Sequence, residues 1–321
     1  LKRYGLLLVK IAVSIALLTY LLSSTDLGAL YRRVRGGDTV LLAAAVALYT
    51  VILLISTWRW RVLLRAQGFE APLRRLSASY LVATFFNNFL PSNIGGDVIR
   101  VRDSSVLTGS TTTSVAIVAI DRILGLGALY VLALFAYFLG GEAVRGLAGA
   151  APALGLLAIL FGVLAYVFFR PGTARWLLAA SGLGSREWAR QRFETVQAAV
   201  HVYRAQMAAV WLAFGASVAL QALVVVYYYD VAHSLRIPLP LSACFLIVPL
   251  CSLVQTVPVS FNGWGIRESV FILYFQQLGL PRDSALAFSL VGAGLIVLLS
   301  LSGAIVWTSR NGLAPAPQAE E

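Results

Sequence analysis

Six apolar runs recur along this 321-residue chain, at about 5–22, 39–58, 112–139, 147–169, 207–229 and 284–308. Each is close to the roughly 20 residues that a helix rising ~1.5 Å per residue needs to cross a ~30 Å hydrocarbon core. Such repetition predicts an all-α polytopic membrane protein. Composition agrees, with 59% hydrophobic and 12% charged residues, where soluble domains carry about 25% charged. The first run follows Lys2 and Arg3 and has the outline of a signal peptide, but more spans follow and no clear small-residue cleavage site ends it, so it is read as an uncleaved anchor.

Two further apolar stretches do not read as full spans. Residues 76–90 run into Asn87, Asn88, Pro91, Asn93, Gly95, Gly96 and Asp97, and residues 241–257 run into Pro258, Asn262, Gly263 and Gly265 before a second apolar piece at 266–280. Breakers at that density release backbone groups that lipid cannot satisfy, so each stretch must be buried in protein or line a polar cavity. Both are expected to be re-entrant broken helical hairpins.

The net charge of +11, from 25 Lys+Arg against 14 Asp+Glu, lies mostly between apolar segments, which favours cytoplasmic loops or anionic lipid over nucleic acid. Arg59, Arg61, Arg65, Arg74 and Arg75 are assigned to one loop, and Arg170, Arg175, Arg186, Arg190, Arg192 and Arg204 to another. Placing both inside makes the termini cytoplasmic, and the expected location is the inner (cytoplasmic) cell membrane. Arg32, Arg33 and Arg35 would then lie outside, against the rule, partly offset by Asp26 and Asp38. Residues 185–206 either lie flat at the cytoplasmic interface or form a solvated connecting helix. The Ala/Pro-rich tail, 311–321, is expected to be disordered.

Setting each residue beside the one 167 positions later aligns Pro91 with Pro258, Gly96 with Gly263, Ile99 with Ile266 and Arg100 with Arg267. The same offset superposes the spans 39–58 and 112–139 on 206–225 and 279–306. Residues 1–143 and 144–310 therefore read as two membrane repeats, each with three full spans and one broken segment. Three is odd, so the halves insert with opposite orientation, the plan of many transporters with a substrate site near the midplane.

Arg100, with Asp97 and Asp103 nearby, and Arg267, with Glu268, follow the two breaks. A charge at membrane depth costs at least about 2.5–3.5 kcal/mol and so faces a cavity, a partner or a substrate. An arginine fork suits a phosphate or carboxylate; equally, each arginine can pair with its neighbouring acid and anchor its hairpin. Asn88, Asn93 and Asn262 either bind a head group or satisfy freed backbone. Asp121 and Arg122 are adjacent within a span, point to different sides of a helix and need separate partners, as cavity lining or as bridges. Trp58 and Trp60 read as interfacial anchors. Cys244 and Cys251, about 10 Å apart along a helix, are too far apart for a disulfide. His201 and His233 form no ligand cluster. No nucleophile with its base and no phosphate-cradling glycine loop with a lysine is visible, so no enzyme activity and no cofactor are expected.

The stretch Trp60 to Gly68, the stretch Asn88 to Arg100, the pair Asp121-Arg122 and the stretch Asn262 to Glu268 together resemble the transmembrane region of lysylphosphatidylglycerol synthases, a family also called flippase-like membrane proteins. The best-known members fuse this region to a soluble aminoacyltransferase domain and move the aminoacylated lipid between leaflets. About a dozen residues follow the last span here, too few for such a domain. The resemblance implies translocation of an anionic phospholipid, aminoacylated lipid or lipid-linked sugar, with the head group held between the hairpins by Arg100 and Arg267 and with membrane lipids as partners. The alternative is a non-transporting membrane partner of an enzyme acting on lipid carriers; a membrane-embedded transferase would need a base and an acceptor site not found in the sequence. Oligomeric state is left open.

Overall fold

The structure is a computed structural model that describes residues 19, 20, 23, 27–90, 95–170, 187–256 and 262–311. The first expected span, most of the tail, Pro91, Asn93 and Pro258 lie outside the described residues. Among those described, every regular element is a helix: α1 (Leu27–Arg35), α2 (Thr39–Ala66), α3 (Leu73–Phe89), α4 (Gly95–Thr108), α5 (Thr111–Leu139), α6 (Gly141–Arg145), α7 (Ala150–Phe169), α8 (Glu187–Ala205), α9 (Met207–Ser234), α10 (Leu241–Gln255), α11 (Ile266–Gln277) and α12 (Arg282–Asn311). Five of these, α2, α5, α7, α9 and α12, are long and apolar enough to cross a membrane. They match five of the six runs expected from hydropathy.

Local chemistry sets the helix ends. The Asp38 carboxylate accepts from the Val40 and Leu41 amides at 2.8 and 3.3 Å and caps α2, and Ser110 Oγ accepts from Thr113 N at 3.2 Å to cap α5. Such caps satisfy amides that have no partner within the helix. Pro72 and Pro240 stand at the N-caps of α3 and α10. Gly96 lets α4 fold back on α3, since a Cβ there would lie 2.1 Å from Ala83 O; its amide donates instead to Asn87 Oδ1 at 2.8 Å. α11 starts at Gly265, whose φ is 84° and whose amide donates to Glu268 Oε2 at 2.6 Å.

α2 and α9 lie side by side and antiparallel. Asp38 N bonds to Ser234 O at 2.9 Å, the Tyr49 and Tyr227 rings lie 5.5 Å apart, and Arg59 Nη1 donates to Ser217 Oγ at 2.9 Å. The other elements pack around this pair with an exchange of partners: α3 rests on α12, while α10 rests on α5. Phe86 meets Trp307 at 5.1 Å in the first of these contacts.

Several sequence expectations need correction. α2 continues to Ala66, so Arg59, Arg61 and Arg65 belong to a helix rather than a loop. Trp60 is fully buried, not an interfacial anchor; only Trp58 is exposed. Arg32, Arg33 and Arg35 lie on the short helix α1, where Arg33 pairs with Asp283 at 3.3 Å and so ties α1 to α12. The segment 185–206 contains α8, which is docked on the end of α2: Tyr203 Oη donates to Leu63 O at 3.0 Å and Gln67 Nε2 to Ala199 O at 2.8 Å. Burial pushes the Tyr203 hydroxyl pKa up and keeps it a donor.

Candidate functional site

Three helices bring charged groups together beside the first break. α2 supplies Arg59, α4 supplies Asp97 and Arg100, α5 supplies Asp121 and Arg122, and Tyr80 of α3 closes one side. They line a cavity of about 220 Å³, with Asn87 and Gln221 adding amides. Asp97 and Arg100 are three apart and share one face of α4; Asp121 and Arg122 diverge from α5.

Asp121, 1% exposed, lies between two guanidinium groups, with Arg100 Nη2 at 2.8 Å and Arg59 Nε at 2.7 Å. The Arg59 Nε–H is not aligned on the oxygen, so that contact is ionic rather than a formed hydrogen bond. Arg122 Nε meets Asp97 Oδ2, whose other oxygen is 3.7 Å from Arg100 Nη1. The Arg100 guanidinium also lies over the Trp60 and Tyr80 rings, 4.8 and 5.1 Å from their centroids, a cation–π placement that supports a desolvated cation. Three arginines against two aspartates among the described lining residues leave one net positive charge. The buried Arg100 Nε has no hydrogen-bond partner among the described residues, and Arg122 is 35% exposed. Chemically this is a place for an anion small enough to enter between the helices.

The second break carries a different arrangement. Arg267 Nε donates to Glu268 Oε1 at 2.9 Å and to Ser289 Oγ at 2.8 Å, while Nη2 reaches the same carboxylate oxygen at 2.5 Å. Glu268 is fully buried, accepts also from Ser289 Oγ at 2.7 Å, and holds the first amide of α11 as described. The Arg267 guanidinium stacks on Trp264 at 4.6 Å. At the 167-residue offset, Asp121 and Arg122 correspond to Phe288 and Ser289, so the second half lacks the acid and base that charge the first cavity.

Of the residues singled out in the sequence, Asp97, Arg100, Asp121 and Arg122 converge on one cavity, whereas Arg267 and Glu268 form a separate network and are not among that cavity's lining. Asp103, expected beside Arg100, hydrogen-bonds with Ser79. Asn88 and Asn262, one from each break, meet at 3.3 Å through Nδ2 of Asn262 and Oδ1 of Asn88. Asn93 lies outside the described residues. Sequence reasoning missed Arg59, Trp60 and Tyr80. The signal for Arg59 was that it follows Ser56 and Thr57 on a helix face continuous with the span, since 52, 56, 59 and 63 fall on one side of a helix.

Residues 7–303 match the family described as Lysylphosphatidylglycerol synthase TM region. The chain belongs to that family. Membership makes it a multi-pass membrane protein of a family related to lipid handling. The matched range includes both breaks and every described lining residue of the charged cavity. Among curated proteins none matches the chain. In this family member both cysteines are free and buried, and among the described residues no group of three or more His, Cys, Asp or Glu side chains is placed to hold a metal ion.

Proposed function

We propose that this protein moves an anionic lipid, whether a phospholipid, an aminoacylated lipid or a lipid-linked sugar, between the leaflets of the cytoplasmic membrane, and that the cavity lined by Arg59, Arg100 and Arg122 receives the phosphate of its head group. The observation that carries this reading is a net-positive cavity among membrane-length helices with an unpaired buried guanidinium N–H. Burying that charge is costly unless something at membrane depth uses it. The activity in this reading is transport without a covalent step and without a cofactor.

We further read residues 1–143 and 144–310 as inverted repeats with cytoplasmic termini, α3 with α4 and α10 with α11 forming the two re-entrant hairpins. Support comes from helix bounds that recur at the 167-residue offset, α2 with α9 and α3 with α10, from the antiparallel course of α2 and α9, and from the exchange of α3 and α10 onto each other's half. Arg267, saturated by Glu268 and Ser289, holds its hairpin in this reading.

The test is leaflet exchange of a labelled anionic phospholipid in reconstituted vesicles, beside a melting curve for each variant. Arg100→Ala and Arg122→Ala are expected to slow exchange more than they lower the melting temperature, and Arg267→Ala to do the reverse. Wild-type exchange in both cavity variants would refute the head-group site. Wild-type protein that exchanges no lipid favours the second reading, a non-transporting partner of an enzyme acting on lipid carriers, for which the locally neutralised Arg267 network is the supporting observation.

A further inference from the structure

A second recess opens on the other side of α5 from the charged cavity. It has a volume of about 860 Å³ and is walled by α5, α7, α8 and α9. Ile120, Ile123, Leu124, Gly127, Tyr130 and Val131 form its α5 wall, spaced as one stripe of a helix, next to the stripe of Asp121, Arg122 and Gly125 that faces the charged cavity. Phe161 of α7 stacks on Tyr130 at 5.4 Å, and Gly127 leaves the space into which Phe161 and Phe214 turn. Three of the four walls are helices long and apolar enough to cross a membrane.

The polar groups are gathered at one end, on α8, where Glu194, Gln197, His201 and Arg204 join the lining. Glu194 is engaged by Arg190 at 3.8 Å. Arg204 has no carboxylate partner among the described residues; its guanidinium lies 5.3 Å from the centroid of the Phe168 ring, and its buried Nε makes no hydrogen bond. A long apolar slot with a free guanidinium at one end has the polarity of a single amphiphile. Its volume falls within the roughly 300–1,000 Å³ of ligand sites.

We propose that the groove between α5, α7, α8 and α9 is a binding site for an anionic phosphate-bearing membrane lipid, its hydrocarbon chains lying along the α5 stripe and its phosphate meeting Arg204. The site is distinct from the charged cavity and does not depend on movement between leaflets. It places a lipid against the outer face of the helix whose inner face carries Asp121 and Arg122.

Native mass spectrometry of the full chain, stripped in detergent and then offered phosphatidylglycerol or diacylglycerol, tests it. One phosphatidylglycerol is expected to remain bound to the wild type at energies that remove bulk lipid. Gly127→Phe fills the slot from α5, and Ala165→Trp fills it from the exposed face of α7, where folding tolerates bulk; each is expected to abolish retention. Arg204→Gln is expected to weaken phosphatidylglycerol about tenfold, the loss of one charge-assisted contact, and to leave diacylglycerol, which has the chains without the phosphate, unchanged. Equal retention in wild type and in folded Ala165→Trp overturns the proposal. Equal loss of both lipids in Arg204→Gln overturns the phosphate assignment. Wild type that retains no lipid also overturns it. Failure of leaflet exchange with retention intact bears only on the transport reading.

Discussion

A carboxylate that is 1% exposed between two guanidinium groups is held almost wholly by those two partners. Removing Asp121 leaves Arg59 and Arg100 facing each other in the same buried space, and breaking a buried pair in this way costs about 3–5 kcal/mol. Asp121→Ala is therefore expected to lower the melting temperature in detergent far more than Arg122→Ala, because Arg122 is already 35% exposed and the Asp97 it would leave behind keeps Arg100 at 3.7 Å. Equal melting losses would show that Asp97 and Arg122 are as tightly held as the Asp121 triad. A second residue-scale prediction concerns Gly96. A methyl group there would sit 2.1 Å from Ala83 O and 2.7 Å from Asn87, so α3 and α4 must part. Gly96→Ala is expected to cost about 1–3 kcal/mol, the usual penalty of overpacking, whereas Gly155→Ala, which meets nothing within 4 Å, is expected to be neutral in the same melting assay.

At the scale of elements, two helices do double duty. α5 presents a charged stripe to one recess and an apolar stripe to another, which its length of 29 residues allows. α2 spans and then continues as the floor of the cavity, its last turns roofed by α8 through Tyr203 and Gln67. Their orientation in the bilayer is a separate question, and the antiparallel course of α2 and α9 turns it into a measurement. The loop after α2 and the end of α9 should open on opposite sides. A cysteine at Glu70 is expected to be shielded from a membrane-impermeant thiol reagent in intact cells, and one at His233 to label. Both positions are exposed, and the native Cys244 and Cys251 are buried, so background is low. Labelling at both would contradict the inverted arrangement.

At the scale of the whole molecule, the two halves meet at α2 and α9 and again where the breaks touch through Asn88 and Asn262. If transport requires the hairpins to separate, tying this contact should stop it. Protein with Asn88→Cys and Asn262→Cys, joined by a short bifunctional thiol reagent with a reducible spacer, is expected to lose leaflet exchange and regain it on reduction, with melting unchanged or raised. Persistent exchange in the joined protein would show that the hairpin tips do not move apart during transport. The contact is a neutral hydrogen bond, worth about 0.5–1.5 kcal/mol net, weak enough to open repeatedly.

What the sequence determined by itself is the set of elements that hydrophobicity controls. The runs at 39–58, 112–139, 207–229 and 284–308 became α2, α5, α9 and α12 because lipid forces an apolar segment of that length to satisfy its backbone within one helix. The clusters of Pro, Gly and Asn marked the breaks after α3 and α10 for the same reason. Where a charge interrupts, this logic stops: Arg59 reads as the start of a loop, yet it lies within α2 because Asp121, 62 residues later, and Ser217, 158 residues later, neutralise and hydrogen-bond it. Trp60 reads as an anchor for the interface, yet it is buried under Arg100. The adjacency of Asp121 and Arg122 required two partners on two sides, and nothing local names them; the packing of α2, α4 and α5 does. The same packing separates Arg100 from Arg267, equivalent in sequence, giving the first a carboxylate with Nε left without a hydrogen bond beside a cavity, and the second a carboxylate and a hydroxyl. Hydrophobic burial is a property of each residue and its near neighbours, so it is legible along the chain. Ion pairing depends on which distant helices touch, and only the tertiary structure decides that.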